Sequence, residues 1–224
     1  MGRHSVILAL LLVMVSAPSF ADISYTPVQF DYNGKNWVRD YYYPTGNGVL
    51  LGDVPFNIPA PDNLNTWDSN DGAGLKEITI PMNIYGVSEV HTLINLSWGS
   101  YGAMNTWITF EGSDGATYTK YLYDGIDVRD WYQGGYANSI NGTTSVAVYE
   151  NGRSRVDKQF IDLPDDFLGQ YLVSMTISDN GGSGYHRAFL YGLTVGNTVP
   201  EPISTTLFIL GGATLAARRL RRKN

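Results

Sequence analysis

The 224-residue chain contains no cysteine. Cysteine nucleophiles, thiolate metal sites and cysteine-held iron–sulfur clusters are therefore excluded. A domain of this size does without disulfides because its core suffices. Histidine is nearly as scarce: after His4 only His91 and His186 occur, and neither stands at metal-ligand spacing from another histidine. His91 follows Val90 in a strand-like run and reads as a structural or surface residue. Gly-x-Ser-x-Gly is absent, which leaves the nucleophile-elbow reading without support. Bases are few in the middle of the chain. Of the 21 acids only Glu201 lies outside Asp22–Thr198, and of the 15 bases Arg3 and five tail cations do, leaving 20 acids against 9 bases and a net charge near −11. Phosphate binding needs clustered cations, so nucleic acid is not the expected partner. The excess of acid suits a soluble extracellular protein, including one that binds cations. Sustained helical periodicity is also missing from this middle part, and it holds no internal repeat.

The two ends are distinct. Arg3 and His4 precede an apolar stretch, Val6 to Val15, and Ser19-Phe20-Ala21 has the small-x-small pattern of a cleavage site. Residues 1–21 read as a secretory signal peptide, ahead of the alternative of an N-terminal anchor. At the other end, Val199-Pro200-Glu201-Pro202 leads into a mostly apolar run, Ile203 to Ala217, and then Arg218, Arg219, Arg221, Arg222 and Lys223. Prolines fix φ and lack amide hydrogens, so Pro200, Glu201 and Pro202 should stay extended and accessible. As a helix this fifteen-residue run, which includes Ser204, Thr205, Thr206 and Thr214, reaches roughly 22 Å, short of a ~30 Å hydrocarbon core, and bilayer thinning with snorkelling arginines can hold it there. The basic end should remain cytoplasmic.

This order of parts resembles the PEP-CTERM sorting signal of Gram-negative bacteria, with Pro200, Glu201 and Pro202 matching its motif residue by residue. The resemblance covers residues 199–224 only. It implies a short transmembrane helix, processing by the membrane protease exosortase after passage through the secretion machinery, and association with exopolysaccharide.

Between the ends, runs rich in valine, isoleucine, threonine and tyrosine alternate with glycine, asparagine and aspartate. The pattern predicts strands at Val28–Tyr32, Trp37–Tyr43, Leu75–Ile80, Val90–Trp98, Thr106–Glu111, Thr117–Tyr123, Ile126–Trp131, Ser145–Glu150, Arg155–Ile161, Leu172–Ser178 and Arg187–Val195. Asn151-Gly152 and Ser113-Asp114-Gly115 should be tight turns, and Pro164 to Leu168 a single helical turn. Val173, Met175 and Ile177 should form the buried face of their strand. About ten short strands at this spacing point to an all-β, antiparallel sandwich of the jelly-roll type over residues 22–198.

Two stretches carry candidate chemistry. Trp67, Trp98, Trp107, Trp131, Tyr132 and Tyr136 are mixed with amides and carboxylates that can bond sugar hydroxyls while a ring stacks on the apolar face of a pyranose. Each aromatic alone reads first as core. In Asp127-Val128-Arg129-Asp130-Trp131-Tyr132, charges and aromatics meet at a strand end, and Asp127, Arg129, Asp130, Trp131 and Tyr132 are the candidate carbohydrate-binding residues. The second stretch, Asp68-Ser69-Asn70-Asp71-Gly72, offers Asp68, Asn70 and Asp71 as candidate calcium ligands, although it lacks an EF-hand glutamate and also reads as a polar turn. Otherwise no cofactor is expected. The sequence thus leads to a non-enzymatic exported surface or matrix protein, with a secreted glycoside hydrolase or lyase as the alternative if two carboxylates face each other across a cleft.

Overall fold

Runs of β-branched and aromatic residues, cut by glycine, proline and asparagine, form twelve strands among the described residues. The computed structural model describes residues 23–34, 44–60, 63–70, 74–182 and 185–198. The expected signal peptide, the expected strand at Trp37–Tyr43 and the whole tail from Val199 lie outside them. In chain order the strands are β1 Ile23–Pro27, β2 Gly46–Leu51, β3 Val54–Ile58, β4 Trp67–Asp68, β5 Lys76–Tyr85, β6 Val87–Ser97, β7 Thr106–Gly112, β8 Thr117–Leu122, β9 Ser145–Glu150, β10 Arg155–Asp162, β11 Tyr171–Asp179 and β12 Arg187–Thr198. A 3-10 turn at Asp165–Phe167 fills the place expected for a single helical turn.

The strands make two antiparallel sheets and a hairpin. One sheet runs β1-β12-β6-β10-β9, with β4 also paired to β12; the other runs β5-β11-β7-β8. Ile94, Leu96, Leu190 and Val195 of the first pack against Ile80, Ile108, Phe110, Met175 and Ile177 of the second in one continuous apolar core. On its other face the first sheet is covered by the β2–β3 hairpin, where Phe56 and Ile58 meet Leu93, Phe189 and Tyr191. Covered on both sides, β6 is buried along nearly all its length. The hairpin turns at Gly52 (φ 56°) and Asp53 (φ 65°), a two-residue turn with both φ positive, as the strand twist requires.

Three expectations are corrected. The first strand is Ile23–Pro27, not Val28–Tyr32: its ladder with β12 ends at Pro27, the Val28 amide makes one last bond to the Leu193 carbonyl, and a few residues on Asn33 and Gly34 bond Thr66 instead. Ile126–Trp131 is not a strand. Asp127 takes the Tyr123 amide with its own carboxylate, and the segment forms no ladder: an isolated bridge joins Asp130 to Leu96, and the Trp131 carbonyl accepts from the Arg155 amide. On β11 the register slips between Leu172 and Ser174, so Leu172 joins Met175 and Ile177 in the core while Val173 is only partly buried. The bulge breaks the alternation that placed Val173 inside.

Candidate functional site

The register places several chain turns at one end of the sheets. Ser97 closes β6 opposite Arg187, which opens β12. In the other sheet the end of β11, Asp179, lies opposite both Thr106 and Lys76, and Thr106 pairs with Leu122 at the end of β8. Into this end the segment after β8 drives a wedge. Leu96 donates its amide to the Arg129 carbonyl and accepts from the Trp131 amide, while Arg155 donates its amide to the Trp131 carbonyl. Arg129–Trp131 thus lies between β6 and the start of β10. It delivers Trp131 and Tyr132 to this end of the sheets, with Trp131 also packed against the apolar cluster under the β2–β3 hairpin.

Asp130 anchors the wedge. Its side chain is buried, its Oδ1 accepts from the Gly99 amide at 2.8 Å, and its Oδ2 accepts from the Ala137 amide at 3.1 Å. Burial pushes this carboxyl above the ordinary range; the backbone donors pull against that push, and the charge of Asp124 adds to it. Gly135 must be glycine here, because a Cβ on it would stand 2.1 Å from Asp130 Oδ2.

Around this anchor lies a cleft of about 580 Å³, lined by Ser97, Trp98, Trp131, Tyr132, Tyr136 and Tyr185 together with Asp130, Arg187 and two glycines. Its rings face solvent: Trp98 is 54 % exposed, Tyr136 72 % and Tyr185 65 %. Trp98 is the hub, with its ring centroid 5.5 Å from that of Tyr136 and 6.1 Å from that of Tyr185. It is also held at φ 58°, a left-handed conformation that costs a bulky residue on the order of 1–3 kcal/mol. A half-exposed indole gains little burial to offset that strain. Such strain is concentrated at binding and catalytic sites.

Beneath the cleft, His186 is 1 % exposed. Its Nδ1 lies 2.9 Å from Asp179 Oδ1, and its Nε2 is 3.4 Å from Asp124 Oδ2, a long contact better described as an ion pair than a hydrogen bond. Asp179 Oδ2 accepts from Ser69 Oγ at 2.6 Å and from the Ala188 amide, and Asp124 Oδ2 accepts from the Ser100 amide. Burial alone would lower the His186 value, but the two carboxylates outweigh it and raise it to about 9. Burial would also raise Asp179, and the bond from His186 leads the effects that lower it instead. A protonated imidazole therefore ties β4, the turn after β6, the end of β8 and both ends of the β11–β12 connection to one another.

The candidate cluster divides. Asp130, Trp131 and Tyr132 line the cleft. Asp127 and Arg129 do not: Asp127 is buried against Lys120 and the Tyr123 amide, and Arg129 forks onto Asp157 at 2.7 and 2.8 Å with a further bond to Glu150. Of the other aromatics singled out, Trp98 and Tyr136 join the cleft, whereas Trp67 is core and Trp107 lies on β7 in the opposite sheet. Tyr185 and Arg187 complete the cleft without having been singled out in the sequence. Their only local signal is an aromatic and a cation that flank His186 just after Gly181-Gly182-Ser183-Gly184.

In the candidate calcium turn, Asp68 Oδ1 accepts from the Asn70 amide and Oδ2 lies 3.2 Å from Arg187 Nη2; Asn70 donates through Nδ2 to the Asp68 carbonyl, and Asp71 lies outside the described residues. Among the described residues no group of three His, Asp or Glu side chains stands at metal-binding distance. The sorting motif and basic tail also lie outside the described residues. No protein-family model matches the chain, and no characterised protein matches it by sequence.

Proposed function

We propose that the chain is a non-enzymatic, exported surface or matrix protein that binds carbohydrate in the aromatic cleft at the end of its sandwich. Trp98 carries the reading: an exposed indole in a strained backbone, flanked by Tyr136 and Tyr185 beside buried polar groups. Aromatic faces stack on the C–H face of a pyranose, and the cleft volume lies within the range of small-ligand sites. The sandwich is a jelly roll in this reading. Its support is the order β1-β12-β6-β10-β9 in one sheet, with β4 on β12, and β5-β11-β7-β8 in the other, with the chain changing sheet at β4–β5, β5–β6, β6–β7, β8–β9, β10–β11 and β11–β12.

A glycoside hydrolase acting through paired carboxylates would need a second one across the cleft. Among the described lining residues Asp130 is the one acid, and both its oxygens accept backbone amides. Binding needs no calcium in this account, because the Asp68 carboxylate already serves Asn70 and Arg187. Export and surface delivery rest on the two chain ends: the signal-peptide pattern, and Pro200-Glu201-Pro202 with its apolar run and basic tail as an exosortase substrate anchored in the membrane before processing. The binding test is a glycan array probed with the full chain and with Trp98→Ala. Saccharide binding by the wild type that disappears in the variant supports the reading; binding indifferent to Trp98 removes the cleft from it.

A further inference from the structure

We propose that the cleft selects uncharged glycan chains over acidic and cationic ligands, and that the Arg187–Asp68 pair sets this selectivity. The proposal rests on the carbohydrate reading above. It starts from the charges gathered at the cleft. Arg187 is the one cation among the described lining residues, and its Nη2 is already engaged by Asp68 Oδ2 at 3.2 Å while its guanidinium lies 5.9 Å from the Phe189 ring centroid. A uronate or sulfate would have to compete with Asp68 for the guanidinium.

The opposite charge is disfavoured as well. A cluster of exposed rings is the usual setting for a quaternary ammonium. Here that cation would meet the guanidinium of Arg187, whereas Asp130, the acid in the cleft lining, is 1 % exposed with its oxygens turned to the Gly99 and Ala137 amides. Charge of either sign therefore meets a group already committed elsewhere. Stacking on Trp98, Tyr136 and Tyr185 needs no charge at all.

Calorimetric titration of the full chain tests this with four kinds of probe: a panel of neutral β-glucan, mannan, galactan and xylan oligosaccharides, oligogalacturonate, sulfated galactan oligosaccharides, and choline chloride. At least one neutral oligosaccharide should bind, with a Kd changing less than about threefold between ~50 and ~500 mM salt. Oligogalacturonate and the sulfated oligosaccharide should bind about tenfold more weakly or worse, and choline should not bind. Asp68→Asn keeps an oxygen for the Asn70 amide but uncovers the Arg187 charge. It should raise oligogalacturonate affinity about fivefold or more at low salt and leave neutral binding little changed. A wild type that prefers oligogalacturonate or choline overturns the proposal and leaves a binding cleft in place. Unchanged oligogalacturonate affinity in Asp68→Asn overturns the role of the pair. Failure of every saccharide overturns the carbohydrate reading itself, and this inference with it.

Discussion

The imidazole Nδ1 of His186 stands 2.9 Å from Oδ1 of Asp179, and both side chains are buried. This pair, with Asp124 on the other ring nitrogen, holds the turns that form the aromatic cleft, so protonation of one histidine is linked to the stability of the site. The folded value of His186, about 9, lies above its ordinary 6.5. Its stabilising contribution is therefore complete below about pH 6.5 and is lost as the pH rises through about 9. Asp179 lies below its ordinary value, so its contribution is present above that value and is lost only in acid. The thermal midpoint should fall between about pH 7 and about pH 9.5, and the slope should flatten in His186→Gln. A variant with the wild-type slope would place the alkaline loss in another group.

Trp98 should separate stability from binding. Replacing it with glycine relieves the left-handed strain at φ 58° and removes an indole that is more than half exposed. The melting midpoint should hold or rise, while saccharide affinity falls by about tenfold or more. A lower midpoint by several degrees would mean that the indole supports the fold, and the case for a strained binding residue would fail.

Arg129 offers the contrasting case, because it belongs to the fold and not to the cleft. Its fork onto Asp157 and its bond to Glu150 outweigh the effect of burial and hold the guanidinium above its ordinary value. Arg129→Ala strands the buried Asp157 carboxylate and should cost about 3–5 kcal/mol in urea unfolding. A cost below about 1 kcal/mol would show that Asp157 is rescued by other donors, such as the Asn95 side chain that also bonds it.

The strand pattern was legible where one face is buried and the turns are short. β9 runs Ser145–Glu150 as expected, and the following turn has Gly152 at φ 84°. The β2–β3 hairpin was harder to read: Gly46, Gly48 and Pro55 make it resemble a loop, and it is a strand pair because Phe56 and Ile58 find Leu93 and Phe189 beneath them. The cleft was half legible. Asp130, Trp131 and Tyr132 stood out as a dense local cluster, whereas Asp124, Asp179 and His186 meet only through the fold, and no spacing along the chain announces them. Arg129 and Asp127 shared the cluster's composition but point to partners on β8, β9 and β10.

The proposed processing of the tail makes its own prediction. Replacing Pro200, Glu201 and Pro202 together by alanine should leave a longer form in the membrane fraction, while replacing Arg218, Arg219, Arg221 and Arg222 by glutamate should disturb topology. Mass spectrometry of the surface form reads the outcome. Mature protein still ending at Asn224 would mean that the tail is an ordinary anchor.

The most direct measurement is oxidative footprinting of the full chain, read by mass spectrometry, with and without a neutral oligosaccharide found to bind. Trp98, Tyr136 and Tyr185 are exposed in the free protein and should lose reactivity about threefold or more on binding. Trp107 and Tyr121, paired on the opposite sheet, should react equally in both states. Protection of Trp107 and Tyr121 with Trp98 unchanged would move the binding surface to that sheet and contradict the account.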